Sequence, residues 1–198
     1  MRLAPLVALA LAATVQAQEA RFDVLVKGKK AGVATYKVSP YQRGGRLTRL
    51  RIVLADGSIS ESVSKSDATG NAVGSENSVR RSGTTSKEVV TYDARGDATI
   101  VRDKGKPIVV PFDRKGSRKD PSETWFRGVR PTPGTWAVFR ALDPRKRTWE
   151  EVRVTFVGKQ GAGNVVRQQR NGLTTIFTLN DSGIPLVIES GDLRMNRR

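Results

Sequence analysis

The chain holds neither histidine nor cysteine, and this limits the chemistry its side chains can do. Serine–histidine and cysteine–histidine nucleophiles are excluded. So are zinc sites built on imidazole or thiolate, and the side chain that ordinarily titrates near neutrality. Carboxylates, lysine, tyrosine and serine remain. Glu150-Glu151 looks like a glycosidase pair, but neighbours on a strand point to opposite faces and cannot flank one substrate bond. Glu123 is better explained as a helix cap. No glycine-rich phosphate loop, nucleophile elbow or calcium loop is present. The expectation is a non-enzyme with no catalytic residue, no metal and no cofactor.

Residues suited to binding are more numerous. Serines at 58, 60, 62, 64 and 66 recur with the period of a strand, so all five would share one face. Such a ladder could meet a glycan, keep a concave surface roomy, or simply face solvent. The formal charge is +16, which favours anionic partners: lipid head groups, lipopolysaccharide phosphates, acidic glycans. Basic residues cluster at Lys27-Lys29-Lys30, Arg80-Arg81, Arg114-Lys115 with Arg118-Lys119, Arg145-Lys146-Arg147, and an Arg194/Arg197/Arg198 tail. Each falls at an expected turn, loop or terminus, where a phosphate-binding rim could assemble or lysine could simply guard a sheet edge. Nucleic acid is disfavoured as a partner. No DNA- or RNA-binding signature is present, and aromatics do not interleave with the basic clusters.

The elements that must position these residues read as strands. At 47–54, Leu50, Ile52 and Leu54 point one way, Arg49 and Arg51 the other, as a half-buried antiparallel strand requires. At 21–26, Phe22, Val24 and Val26 share a face, and at 32–38 Ala34, Tyr36 and Val38 do the same. Further strands are expected at 59–65, 72–79, 87–92, 98–102, 107–112, 135–142, 149–158, 165–169, 174–179 and 185–189. Glycine-containing turns such as Asp56-Gly57, Ser82-Gly83 and Asn171-Gly172 separate them. The fold class is therefore all-β: an antiparallel meander curled into a half-barrel or flattened barrel.

One segment breaks the pattern. Asp120-Pro121-Ser122-Glu123 reads as a helix start, with Asp at the N-cap, Pro at the first helical position and Glu at the third. The short helix near 120–127 would end at Gly128 and carry Trp125 and Phe126, either as a plug at one end of the curled sheet or as the lining of a ligand pocket.

Residues 1–17 have the form of a secretory signal peptide: Arg2, an apolar run over 3–15, and the small-residue site Val15-Gln16-Ala17. Thirteen apolar residues are too few to span a bilayer. Residues 18–198 then form a single β-rich domain in the periplasm or outside the cell, with no transmembrane span and a net charge of +15 once Arg2 is lost.

The C-terminal half resembles a family of bacterial periplasmic β-meander domains of unknown function. Its pattern runs Asp-x-x-Ser, aromatic, Arg, then Pro-Gly before a long strand pair, with a late Gly-x-Pro hairpin. Here it reads Asp120 to Arg127 (with Ser122 one position early), Pro131-Thr132-Pro133-Gly134, and Gly183-Ile184-Pro185 leading to Glu189. The overall plan is also similar to the half-barrels of periplasmic lipoprotein carriers, and that likeness implies an apolar cavity under a helical plug. The leading functional expectation is a non-catalytic envelope protein that binds an amphipathic or anionic ligand (a lipid or lipid-linked glycan), with Trp125, Phe126, Arg114, Lys115, Arg118 and Lys119 as candidate ligand-binding residues. The alternatives are a structural or interaction domain packing on another envelope component and, third, a carboxylate-based hydrolase.

Overall fold

The computed structural model describes residues 17–126 and 131–198. Alternating sequence becomes one antiparallel run of eight strands: β1 (Gln18–Val26), β2 (Lys29–Tyr41), β3 (Gly45–Leu54), β4 (Ile59–Ser66), β5 (Ala72–Arg81), β6 (Thr84–Tyr92), β7 (Ala98–Arg102) and β8 (Ile108–Val110). A second run follows: β9 (Trp136–Asp143), β10 (Thr148–Gln160), β11 (Gly163–Arg170), β12 (Leu173–Leu179), β13 (Pro185–Ser190) and β14 (Leu193–Arg197). β1 pairs with β14, so the strands lie in the order β8 down to β1, then β14 down to β9. The result is a curled all-β meander in a single 14-stranded sheet that does not close into a barrel. Among the described residues no helix is long and apolar enough to cross a membrane.

Every expected strand is present. The element missing from the sequence reading is β14, where the Arg194/Arg197/Arg198 tail was expected. Its alternation is carried by Leu193 and Met195 among arginines, too short and too charged to stand out. Met195 nevertheless reaches the core opposite Val24 and Ile188. Val26 shares a face with Phe22 and Val24 as expected, and it is exposed where β1 ends. The bulge opposite Val24 and Leu25 adds Ala31 to β2 and leaves the alternation of β1 unbroken, as its pairing with β14 shows.

The register places Phe22, Ala34, Ile52, Ser60, Val90 and Ile100 on one face of the sheet. Met195, Ile188, Phe177, Val166, Phe156 and Phe139 continue that same inner face through the second run. Leu142 and Trp149 pair with each other and lie on the outer side of β9–β10. They nevertheless pack with Val90, Ala98, Ile100 and Val110. The first end of the sheet therefore laps over the last, and the sheet is a scroll. Two further clusters fill its inside: Phe22, Val24, Ala34, Val38, Ile188 and Met195 at the β1–β14 seam, and Phe139, Val152, Val154, Phe156, Val166 and Leu179 under the helical segment.

Because all neighbours are antiparallel, connections alternate between the two ends of the sheet. The turns β1–β2, β3–β4, β5–β6, β7–β8, β9–β10, β11–β12 and β13–β14 share one end, called here the hairpin end. The remaining turns share the other, and the connection from β8 to β9 packs there, so it is called the plug end. Within this connection lies α1 (Ser122–Trp125), a single turn. The Asp120 carboxylate accepts hydrogen bonds from the Ser122 N–H (2.9 Å) and Oγ (2.6 Å), as an N-cap does. The Glu123 side chain and Gly128, expected to complete and end the helix, lie outside the described residues, as does the leader up to Gln16.

Candidate functional site

The connection from Pro111 to α1 crosses the plug end and leaves a cavity on either side of Asp120, which lines both. The larger holds about 200 Å³ and lies between the inner face of β4–β6 and the edge strand β9. Its wall carries the hydroxyls of Ser64, Ser66 and Ser75, the rings of Tyr92 and Trp149, and the guanidinium side chains of Arg118 and Arg140. The smaller, about 150 Å³, is mixed: Phe126, Val154, Val166, Phe177 and Leu179 share its wall with Tyr36, Arg46, Asp120, Ser122 and Gln168. Ordinary ligand pockets run to about 300–1,000 Å³, so neither cavity encloses a whole lipid. Each suits a head group or a short apolar segment.

Arg118 is the best-defined cation here. Its guanidinium lies 5.3 Å from the Tyr92 ring centre and 5.6 Å from that of Phe112, the geometry of a cation–π contact. Nη1 donates to the Ala72 carbonyl at 3.2 Å. Gly96 (φ +95°) lets it lie there, since a Cβ at that position would sit 2.6 Å from Arg118 Nε. Arg118 makes no ion pair among the described residues. Burial pushes the Tyr92 phenol up, against the opposing pull of Arg118 and Arg170, so it stays a neutral hydroxyl.

Arg140 is held differently. It pairs with Asp113 and donates to the Trp149 carbonyl at 2.6 Å, while its backbone N–H donates to Ser117 O at 2.7 Å. Burial alone would raise the Asp113 carboxyl, but the hydrogen bonds from Arg140 and from Lys115 N–H outweigh it and hold it low. Arg140 Nε is buried and has no hydrogen-bond partner among the described residues. Such a donor is costly unless something accepts from it.

The six sequence-predicted site residues divide. Trp125 and Phe126 are half-buried and pack edge-on against Phe156, with centroids 6.3 Å and 6.4 Å away. Trp125 belongs to the core cluster, while Phe126 also lines the smaller cavity under Gly183. Arg118 lines the larger cavity; Arg114, Lys115 and Lys119 are exposed on the same connection and line neither. The serine row also splits. Ser60, Ser62 and Ser64 are exposed on the concave face, Ser58 is buried in the turn between β3 and β4, and Ser66 is buried at the larger cavity. Glu150 and Glu151 take opposite faces as expected, and Glu150 is buried against Arg170 at 2.7 Å and Lys146 at 3.2 Å.

Tyr92, Arg140 and Trp149 were not singled out in the sequence. Nothing local marks them, because they meet only when the two edges of the sheet overlap. Compared with family models, with curated proteins and with solved structures, the chain matches none of them.

Proposed function

We propose that the protein binds an amphipathic anionic ligand, a lipid or lipid-linked glycan, without catalysis. In this reading Arg118 holds the anionic head in the larger cavity, with the serine hydroxyls around it, and an apolar segment lies along Phe126 in the smaller one. The observation that carries the reading is the meeting of an un-neutralised guanidinium, three serine hydroxyls and aromatic rings in one cavity, next to a second one with Phe126, Phe177 and Leu179 on its wall. The carboxylates nearby already have work: Asp113 with Arg140, Asp120 on the α1 turn, and Glu150 with Arg170. The C-terminal resemblance to periplasmic domains supports the same compartment for this binding.

Titration with lysophosphatidylglycerol, followed by the fluorescence of Trp149 at the cavity wall, tests it. Arg118→Ala should weaken binding by about tenfold, the loss of one charge-assisted contact. Lys115→Ala should change it less than twofold. Equal binding of zwitterionic lysophosphatidylcholine, or no effect of Arg118→Ala, would end the proposal. Export belongs to the same reading: N-terminal sequencing of the secreted form should begin at Gln18, and retention of residues 1–17 would refute it.

A second reading, an interaction domain packing on another envelope component, is favoured by the three packed clusters that occupy much of the inner face. It gains if the titration shows no binding at all.

A further inference from the structure

The two ends of the scroll differ in charge. Between strands, the seven connections of the hairpin end hold six lysines and arginines against three aspartates. The five turns of the plug end hold two against four, and the described part of the β8–β9 connection packed there adds four against three. Lys29, Lys30, Arg80 and Arg81, at the hairpin-end termini of β2 and β5, increase the difference. Three of the five basic clusters in the sequence thus share one end, and it is not the end that holds the two cavities beside Asp120.

The hairpin end is continuous around the scroll. The Lys27 N–H donates to the Asp192 carbonyl at 3.0 Å, joining the first and last hairpins. Arg102 Nη2 donates to the Pro144 carbonyl, joining the β7 end to the β9–β10 turn across the open seam. Lys146 and Arg170 share Glu150, joining the β9–β10 turn to the end of β11. Several cations here are exposed and outside any ion pair among the described residues: Lys29, Arg80, Arg81, Lys104, Lys106 and Arg145.

Apolar side chains stand among these charges. Among the described residues seven large hydrophobic side chains are exposed, and four of them lie within three residues of a hairpin-end turn: Val26, Val79, Val109 at 62 % and Leu173 at 55 % exposure. Exposed aliphatics between lysines and arginines match the boundary of an anionic bilayer, where cations meet head groups and aliphatic groups enter the acyl region. Nucleic acid would call for aromatic stacking platforms or groove-reading elements, and the hairpin-end turns between strands hold no aromatic residue.

We infer that the hairpin end is a membrane-docking rim that seats the protein on an anionic lipid surface with the two cavities beside Asp120 directed away. This is independent of the ligand proposed for the plug end, because the residues are different.

Flotation of the purified protein with vesicles of phosphatidylglycerol and phosphatidylcholine in equal parts tests it, with the same N terminus in every variant. A cation close to such a surface contributes about fivefold to partitioning. Replacing Lys29, Arg80, Arg81 and Arg145 by Gln should therefore weaken binding by roughly 100- to 1,000-fold. The same substitution at Arg95, Lys159, Arg197 and Lys115, away from this rim, should leave it within about threefold. Leu173→Ser should cost roughly tenfold, and this part should persist at physiological salt, where charge is screened beyond about 8 Å. Equal weakening by both sets would mean net charge alone is at work and would overturn the proposal. Displacement by duplex DNA, with no effect of Leu173→Ser, would make the rim a polyanion contact and overturn it too. The wild type gives an arm that needs no variant: binding pure phosphatidylcholine vesicles equally well would also overturn it.

Discussion

Phe22→Ala is expected to lower the unfolding free energy by about 3–5 kcal/mol, the usual cost of deleting a fully buried aromatic ring. Phe22 has no exposed surface and lies on β1, the strand that joins the two runs through its pairing with β14. Its ring packs in the seam cluster with Val24, Ala34 and Met195. Domains are stable by only about 5–15 kcal/mol in all, so this one change consumes a large part of the margin. Urea unfolding measures it. Val26→Ala, on the same strand but exposed, should stay within about 0.5 kcal/mol. A Phe22→Ala loss of under about 1 kcal/mol would show that the seam is not the centre of the core.

Trp149→Ala should cost about 3 kcal/mol and loosen the overlap of the two sheet edges before the rest of the sheet. The Trp149 ring lies 4.8 Å from Phe112 and 5.9 Å from Tyr92, measured between centroids, and its Nε1–H donates to the Pro111 carbonyl at 2.8 Å. These contacts reach from β10 to the far end of the chain's first run, where no strand ladder helps. Hydrogen exchange should accelerate at the amides of β7 and β8, with β1 and β14 unchanged. Trp149→Phe keeps the ring contacts and loses the hydrogen bond, so its cost should be about 1 kcal/mol. Unaltered exchange in β7–β8 with Trp149→Ala would mean that something else holds the seam.

Both predictions concern contacts that strand alternation does not show. Alternation sets which residues form strands, because burying one face of a pleated strand requires period two. Leu50, Ile52 and Leu54 against Arg49 and Arg51 is a local pattern, and β3 follows it. Bulges are not local in this sense. The one opposite Val24 adds Ala31 to β2 beside Gly32, where a Cβ would come within 2.2 Å of the Val53 carbonyl oxygen on β3. The one opposite Lys65 and Ser66 adds Val73 to β5, and of the five serines in the row three are exposed, one is buried in the β3–β4 turn and one at a cavity.

The site was legible only in part. Arg118 belonged to a basic cluster of four, all equally plausible as head-group ligands while the connection had no shape. Only the fold separates it from Arg114, Lys115 and Lys119, by laying its guanidinium on Tyr92 and Phe112.

The sequence by itself determined the all-β class, the thirteen clearest strands, the capped turn before Trp125 and the absence of histidine and cysteine chemistry. Each follows from composition or from spacing within about ten residues. Only the folded sheet brings β14 beside β1, scrolls past itself at Leu142 and Trp149, and gathers the basic turns at the end away from the two cavities beside Asp120. These depend on the accumulated twist and registry of fourteen strands, in which partners far apart in the chain meet.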